Sequence, residues 1–353
     1  MTVVGARPQF VKIAPLSRAL RRHVREILVH TGQHYDRDMS DAFFTELRIP
    51  RPDIHLGVGS GSHGRMTGLI LERLEAAMLA RKPDLVVAIG DTNSTLAAAL
   101  SAVKLQIPVA HVEAGLRSFD MRTPEEINRR VADHVSALLL CPTIDAVRNL
   151  KAEGITRNVH LVGDVMMDAV LQNQARARRL RAPTAHPRRS FYLATIHRQE
   201  NVDDEGRLRA ILGALQGASR PVILPMHPRT RERLRRLRIT PGGAIEIRPP
   251  LPYLAMLRLL GEARGLLTDS GGLQKEAFIL GTPCLTMRDA TEWVETLAGG
   301  ANRLVGADAA KIVRGLRAIE TLPRRRPASS LYGGGRASAR IARLVTDFAR
   351  RRR

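Results

Sequence analysis

The sequence predicts an α/β chain of two Rossmann-like doubly wound domains facing a cleft, and three observations predict it. Short apolar runs alternate with longer amphipathic ones over all 353 residues, the pattern of parallel sheets covered by helices. The polar and glycine-bearing motifs fall just after the apolar runs, where open α/β sheets hold their ligands. The length is comfortable for two domains with cores of their own and long for one.

In the first half the strand candidates are Thr2 to Val4, Glu26 to His30, Leu85 to Gly90, Val109 to Val112 and Leu138 to Cys141. In the second half they are Phe191 to Ile196, Val222 to Met226, Ile245 to Arg248, Gly265 to Thr268 and Cys284 to Met287. The stretch from Leu171 to Ser190, rich in Arg and Ala and carrying Pro183 and Pro187, reads as a helix followed by a linker. Leu331 to Gly335 breaks the pattern before a last helix, Ala337 to about Arg350. The expected domains are residues 1–168, residues 169–335 and a C-terminal helix in 336–353. Only Met1 to Val4 precede Gly5, so the first strand is short.

Composition excludes several classes. The apolar runs have strand length, well below the roughly 18 residues of a membrane span, so no membrane association is expected. No secretory pattern opens the chain, which predicts a cytoplasmic protein. Cys141 and Cys284 lie in separate apolar segments without metal-ligand spacing and read as reduced packing residues. The net charge of +22 invites a nucleic-acid reading. Against it, aromatic residues make up only 3%, too few for base-stacking platforms. The cations are almost all arginine, which points to coding bias. Specific nucleic-acid binding is therefore not expected, while salt-sensitive attraction to polyanions is.

The most informative stretch is Thr268-Asp269-Ser270-Gly271-Gly272-Leu273-Gln274-Lys275-Glu276. It reads as a buried strand, a Ser/Gly turn and a helix start, a junction whose unpaired N–H groups and helix dipole favour phosphate. Glu276, one turn further in, is placed to take a pair of sugar hydroxyls. After the first strand, Gly5 to Lys12 precedes a helix expected from Ile13 to Arg22, and Arg7 and Lys12 could both reach a phosphate. Asp91 follows another strand and either caps the next helix or serves catalysis. Glu113 ends the Val109 strand. Glu125 and Arg129, four apart at a helix start, are either a surface ion pair or, for Glu125, a partner of Glu113 in acid–base chemistry at carbon. His197 and His227 end strands of the second half without metal spacing, so no metal is assigned. Gly59 to Gly64 spells G-x-G-x-x-G but lacks a convincing preceding strand, so no dinucleotide site is expected there.

Taken together, these blocks resemble the non-hydrolysing UDP-N-acetylglucosamine 2-epimerase family. The match runs in order through GARPQFVK, TGQHYD, PDLVVAIGDTNST, HVEAGLRSFD, PEEINR, HLVGDVMMD, HRQEN, MHPRT, LTDSGGLQKEA, MRDATEWVE and GANRLVG. The resemblance implies the GT-B fold, a C-terminal helix crossing back to the first domain, a homodimer and no cofactor. It implies inversion of C2 of a UDP-sugar, with loss of the C2 proton and of UDP to a glycal and re-addition of both. By motif position, Arg7, Lys12, Arg129, His197, Ser270, Gly271 and Gly272 would hold UDP or assist its departure. Glu276 would bind the ribose. Asp91, Glu113 and Glu125 would be the acid–base carboxylates, with Lys12 and His197 counted in the catalytic set.

Gln9 stands where the family often has Glu, and His63 to Gly68 departs from the segment where some bacterial members have an allosteric UDP-sugar site. The expected substrate is UDP-N-acetylglucosamine. The GARPQF, TEWVE and Leu331 to Gly335 segments also resemble the branch acting on UDP-2,3-diacetamido-2,3-dideoxyglucuronic acid, the alternative. A GT-B glycosyltransferase is the further alternative.

Overall fold

The structure, a computed structural model, describes residues 1–33, 43–324 and 331–351. His34, Tyr35 and Asp36 of the TGQHYD block lie outside them. The chain divides into two compact units, Met1–Gln172 with Ser329–Arg353, and Asn173–Ala328. Each is an α/β unit on its own parallel sheet, as the alternating pattern predicts.

The first sheet comprises β1 (Thr2–Val4), β2 (Leu28–His30), β3 (Ile54–His55), β4 (Val86–Ile89), β5 (Val109–Val112), β6 (Leu138–Cys141) and β7 (Val159–Leu161). Its order is β3-β2-β1-β4-β5-β6-β7, parallel throughout. The helices are α1 (Arg7–Leu20), α2 (His63–Arg81), α3 (Asn93–Lys104), α4 (Pro124–Val135), α5 (Ile144–Ala152) and α6 (Val165–Arg179). β1, β4, β5 and β6 are fully buried, which is why they appear as unbroken apolar runs. Val3, Val29, Val86 and Ala88 pack with Ile70 and Leu74 of α2 and the alanine face of α3.

The second sheet comprises β8 (Tyr192–Thr195), β9 (Val222–Pro225), β10 (Ile245–Arg248), β11 (Gly265–Thr268), β12 (Cys284–Thr286) and β13 (Asn302–Leu304). Its order is β10-β9-β8-β11-β12-β13, again parallel. Its helices are α7 (Gln199–Val202), α8 (Glu205–Gln216), α9 (Pro228–Arg236), α10 (Tyr253–Glu262), α11 (Gly271–Leu280) and α12 (Ala309–Thr321). Among the described residues no helix is long and apolar enough to cross a membrane.

Three strands escape the sequence pattern: β3, β7 and β13. All are edge strands of two or three residues with half-exposed side chains, so no apolar run marks them. Two boundaries also differ. β2 begins at Leu28 because Glu26 turns inward, where it accepts from Thr2 Oγ1 at 2.9 Å, Arg21 Nε at 2.8 Å and Ser17 Oγ. α1 begins at Arg7, six residues before the expected Ile13, because the Gln9 amide oxygen accepts from the N–H of Gly5 (2.8 Å) and Ala6 (3.0 Å) and closes the first turn.

The last helix, α13 (Ala337–Arg350), packs on α1. The Asp168 carboxylate of α6 accepts from the N–H of Ala337 (3.2 Å) and Ser338 (2.7 Å), satisfying donors at the α13 N-terminus. Gly163 lies under the segment that leads into it. Its φ is +93°, and a Cβ there would stand 2.5 Å from the Tyr332 carbonyl oxygen. Gly163→Ala should therefore cost at least about 1 kcal/mol and free the C-terminal helix from α1. A lower midpoint in thermal unfolding, with early hydrogen exchange in residues 337–350, would show it.

Candidate active site

In a doubly wound sheet the loops diverge where the strand order reverses, and that gap lies at the carboxyl ends of the strands. The first unit reverses between β1 and β4, the second between β8 and β11. Most of the sequence-predicted residues stand at these two places.

In the first unit Lys12 projects from α1 and forms a buried ion pair with Glu113 Oε2 at the end of β5. Glu113 adopts φ +70°, a left-handed backbone rare outside glycine. Opposite it, Gly90 also has φ +70°, and a Cβ there would lie 3.4 Å from Glu113 Oε2 and 3.5 Å from Lys12 Nζ. The left-handed backbone at Glu113 thus aims its carboxylate at the Lys12 ammonium, and Gly90 leaves room beside the pair. Strain of this kind persists where surrounding structure enforces it, and functional sites are its usual home.

Asp91 and Arg129 form a second pair, Nη1 to Oδ2, at 2.6 Å. This corrects two expectations. Asp91 does not cap α3; Thr92 does, its side chain accepting from the Thr95 N–H. Arg129 is not paired with Glu125 on the surface. It is buried, and its second partner is Glu126, three residues earlier, at 3.0 Å. Burial alone would raise the Glu126 carboxyl, but the Ser118 N–H and Arg129 outweigh it and hold the group below the usual range. Glu125 is half-buried and takes part in no ion pair among the described residues. The structure brings Lys12 to Glu113 and Arg129 to Asp91, and records no contact joining Glu125 to either pair.

Arg7 is the first residue of α1, its guanidinium 4.8 Å from the Phe43 ring centroid. The turn before it is no phosphate cradle, because Gln9 already occupies the Gly5 and Ala6 donors. The Gln9 amide nitrogen donates to Ile89 O (2.8 Å) and Thr95 Oγ1 (3.2 Å), tying this turn to the end of β4. The letters G-x-G-x-x-G run into α2 with Ser62 as its N-cap. Gly61 and Gly64 have open space where a Cβ would stand, so no close approach requires glycine there.

The second unit differs. Thr195 and Thr268 face each other across β8 and β11, their hydroxyls 2.6 Å apart. Asp269, fully buried, accepts from the backbone N–H of His197 (3.0 Å) and Arg198 (3.0 Å) and pairs with His197 Nδ1 at 3.0 Å. Burial would raise this carboxyl, yet His197 and the two amides hold it below its usual range. The pairing fixes the His197 ring, whose side chain stays 37% exposed and so open to a ligand.

Ser270 caps α11, accepting weakly from the Leu273 N–H at 3.4 Å. The N–H groups of Gly271 and Gly272 meet no acceptor among the described residues. Here the anion cradle is open. A Cβ on Gly271 would stand 2.7 Å from Glu292 Oε1 and 3.4 Å from Trp293 Nε1, so a side chain there would displace the Glu292 carboxylate beside the cradle. Glu276 is buried beneath, and burial pushes its carboxyl up to about 7 against the opposing pull of Tyr253 and Lys275. Lys275 Nζ lies 3.7 Å from the Trp293 ring centroid.

Sequence reasoning noted Gln9 only as a departure from the family and Asp269 only as part of the Ser270 stretch, and gave no role to either, to Glu126, or to His111 with Asp133. The last pair left a signal, a histidine inside the apolar run Val109–Val112 and an acid late in the amphipathic helix α4. Among the described residues no group of three or more His, Cys, Asp or Glu could hold a metal ion.

The profile of the UDP-N-acetylglucosamine 2-epimerase family matches residues 18–346. The chain belongs to that family. It is 49% identical to the UDP-2,3-diacetamido-2,3-dideoxy-D-glucuronate 2-epimerase of Pseudomonas aeruginosa, with 99% of both chains covered. It is 45% identical to a UDP-N-acetylglucosamine 2-epimerase homolog of Methanococcus maripaludis, again over 99% of each. Among solved structures it is similar to the UDP-GlcNAc 2-epimerase of Methanocaldococcus jannaschii in complex with UDP-GlcNAc and UDP. That likeness has a TM-score of 0.93 at 42% identity and covers 98% of this chain and 99% of that one. The two-sheet architecture is GT-B-like, as the epimerase family requires.

A consequence of the Glu276 site can be measured without any ligand. A carboxyl raised in the folded state binds its proton more tightly there than in the unfolded chain. Its contribution to stability is then undiminished below about pH 4 and lost as pH rises towards 7, by roughly 3 kcal/mol for a shift of this size. Glu276→Gln should therefore raise the unfolding midpoint of the empty protein at about pH 8, with the difference vanishing near pH 4. A midpoint unchanged at alkaline pH would contradict a carboxyl raised by burial.

Proposed function

We propose that this epimerase inverts C2 of UDP-N-acetylglucosamine without hydrolysis, giving UDP-N-acetylmannosamine. The proton at C2 leaves to a carboxylate and the C1–O bond breaks with its electron pair on UDP. Addition of UDP and a proton to the resulting glycal, the proton from the opposite face, gives the epimer. The cycle is redox-neutral overall and calls for no redox cofactor.

The observation that carries this reading is the contrast between the two switch points. In the second unit the α11 N-terminus offers unpaired Gly271 and Gly272 N–H groups beside Ser270 and the exposed ring of His197. This suits the diphosphate, with Glu276 beneath for the ribose hydroxyls. In the first unit Asp91 and Glu113 are each held by a cation, and Glu125 stands at the α4 start. These are the acid–base groups of the proposal, and Lys12, Arg129 and Arg7 are the cations that take up charge as UDP departs. By family resemblance the working protein is a homodimer.

The 49% identity to the Pseudomonas aeruginosa enzyme favours a second reading, in which the sugar is the 2,3-diacetamido-glucuronic acid. The ratio of kcat/KM for the two UDP-sugars decides between them.

Turnover in heavy water should place deuterium at C2 of both epimers, read by NMR; protium alone at C2 would sink the elimination. Glu113→Gln should lower kcat by at least about 100-fold while UDP binding, measured by calorimetry, stays intact. Gly271→Ala should do the reverse at the binding step, weakening UDP by about tenfold or more through the Cβ that collides with Glu292.

A further inference from the structure

β5 carries a buried charge that the proposed chemistry has not used. The His111 side chain is completely enclosed. Its Nε2 lies 2.8 Å from the Gly90 carbonyl oxygen and its Nδ1 lies 2.7 Å from Asp133 Oδ1. A carbonyl only accepts, and so does an ionised carboxylate. A neutral imidazole has a single N–H and would point a lone pair at one of the two oxygens. The ring is therefore doubly protonated.

Asp133 ionises fully because it is surrounded by donors. Its second oxygen accepts from the Gly115 N–H at 3.0 Å and from Arg117 Nη1 at 2.7 Å. Arg117 in turn makes two bonds to Glu153, at 2.8 and 2.7 Å. Burial favours a neutral ring, but Asp133, the Gly90 carbonyl and Glu113 outweigh it and raise the imidazolium above its usual range. From β6, Cys141 faces the same cluster, its thiol pushed up to about 12 by burial and so uncharged. Arg130 also reaches Glu153, at 3.3 Å, so His111, Arg117 and Arg130 share the cluster with Asp133 and Glu153, and Glu113 acts on the ring from the strand end.

The partners of His111 lie on the segments that bear the acid–base groups. Gly90 is the residue before Asp91, Glu113 follows His111 by two just past the end of β5, and Asp133 sits two turns along α4 from Glu125. We infer that His111 is a positioning residue held as an imidazolium, fixing the Gly90–Asp91 turn and the Glu113 strand end for proton transfer at C2. The inference rests on the epimerase reading. The ring touches no substrate; it acts through the backbone of Gly90 and the charge it presents behind Glu113. A neutral ring would release the Gly90 carbonyl or repel Asp133, and either change loosens a carboxylate.

The test uses wild-type protein, His111→Gln and Asp133→Asn. Nitrogen NMR of histidine-labelled wild type at about pH 8 should show one buried ring with protons on both nitrogens; a singly protonated His111 overturns the proposal even if no variant folds. In folded His111→Gln, kcat should fall by about tenfold or more while UDP affinity stays within about twofold. The alkaline loss of kcat that follows His111 deprotonation in wild type should be absent from the variant. A merely structural role would lower the unfolding midpoint and leave kcat and its pH profile as in wild type, which also overturns it. Absence of C2 exchange in wild type itself would instead defeat the epimerase reading, leaving the protonation state of His111 to be judged by NMR.

Discussion

Every strand in both sheets runs parallel, so within a unit every strand-to-helix turn collects at one edge of the sheet. The remainder of the site follows from that constraint. Asp91, Glu113 and the start of α1 gather because β4, β5 and β1 are neighbours. His197 and Ser270 gather because β8 and β11 are. No chain-local feature could have brought residues 12 and 113, or 197 and 269, into contact.

Within this shared geometry the helices that start at the two strand reversals have their N-terminal donors met differently. In the first, side chains occupy the donors: Gln9 at α1 and Thr92 at α3, with Gln33 accepting from the Ser94 N–H at 3.1 Å. In the second, Asp269 occupies the amides at α7, while the two glycines of α11 remain open. Of these four helix starts, α11 is where donors stay unpaired among the described residues. The first unit holds carboxylates matched by buried cations, an arrangement that keeps several negative charges close together without neutralising them by protonation.

Much of this was legible beforehand. The apolar runs of β1, β4, β5, β6, β8, β9 and β11 are buried on both faces and announce themselves. The Ser270 turn is written in consecutive residues, so its character is local. The edge strands β3, β7 and β13 were not legible, since half-exposed pairs and triplets leave no apolar signature. Nor was the exchange of partners by Arg129, which on sequence spacing faces Glu125 and in the fold turns inward to Asp91 and Glu126.

The sequence by itself determined two parallel α/β units, the open Ser270 turn proposed to hold the diphosphate and the family to which the chain belongs, because each depends on periodicity or on contiguous residues. Only the tertiary structure decided which charges meet. Whether Asp91 caps a helix or pairs with arginine, and whether His111 is a neutral core residue or an enclosed cation, depends on atoms from other strands. A buried charge takes its state from the partners that surround it, and for His111 those partners, Gly90 and Asp133, lie 21 residues before it and 22 after it in the chain.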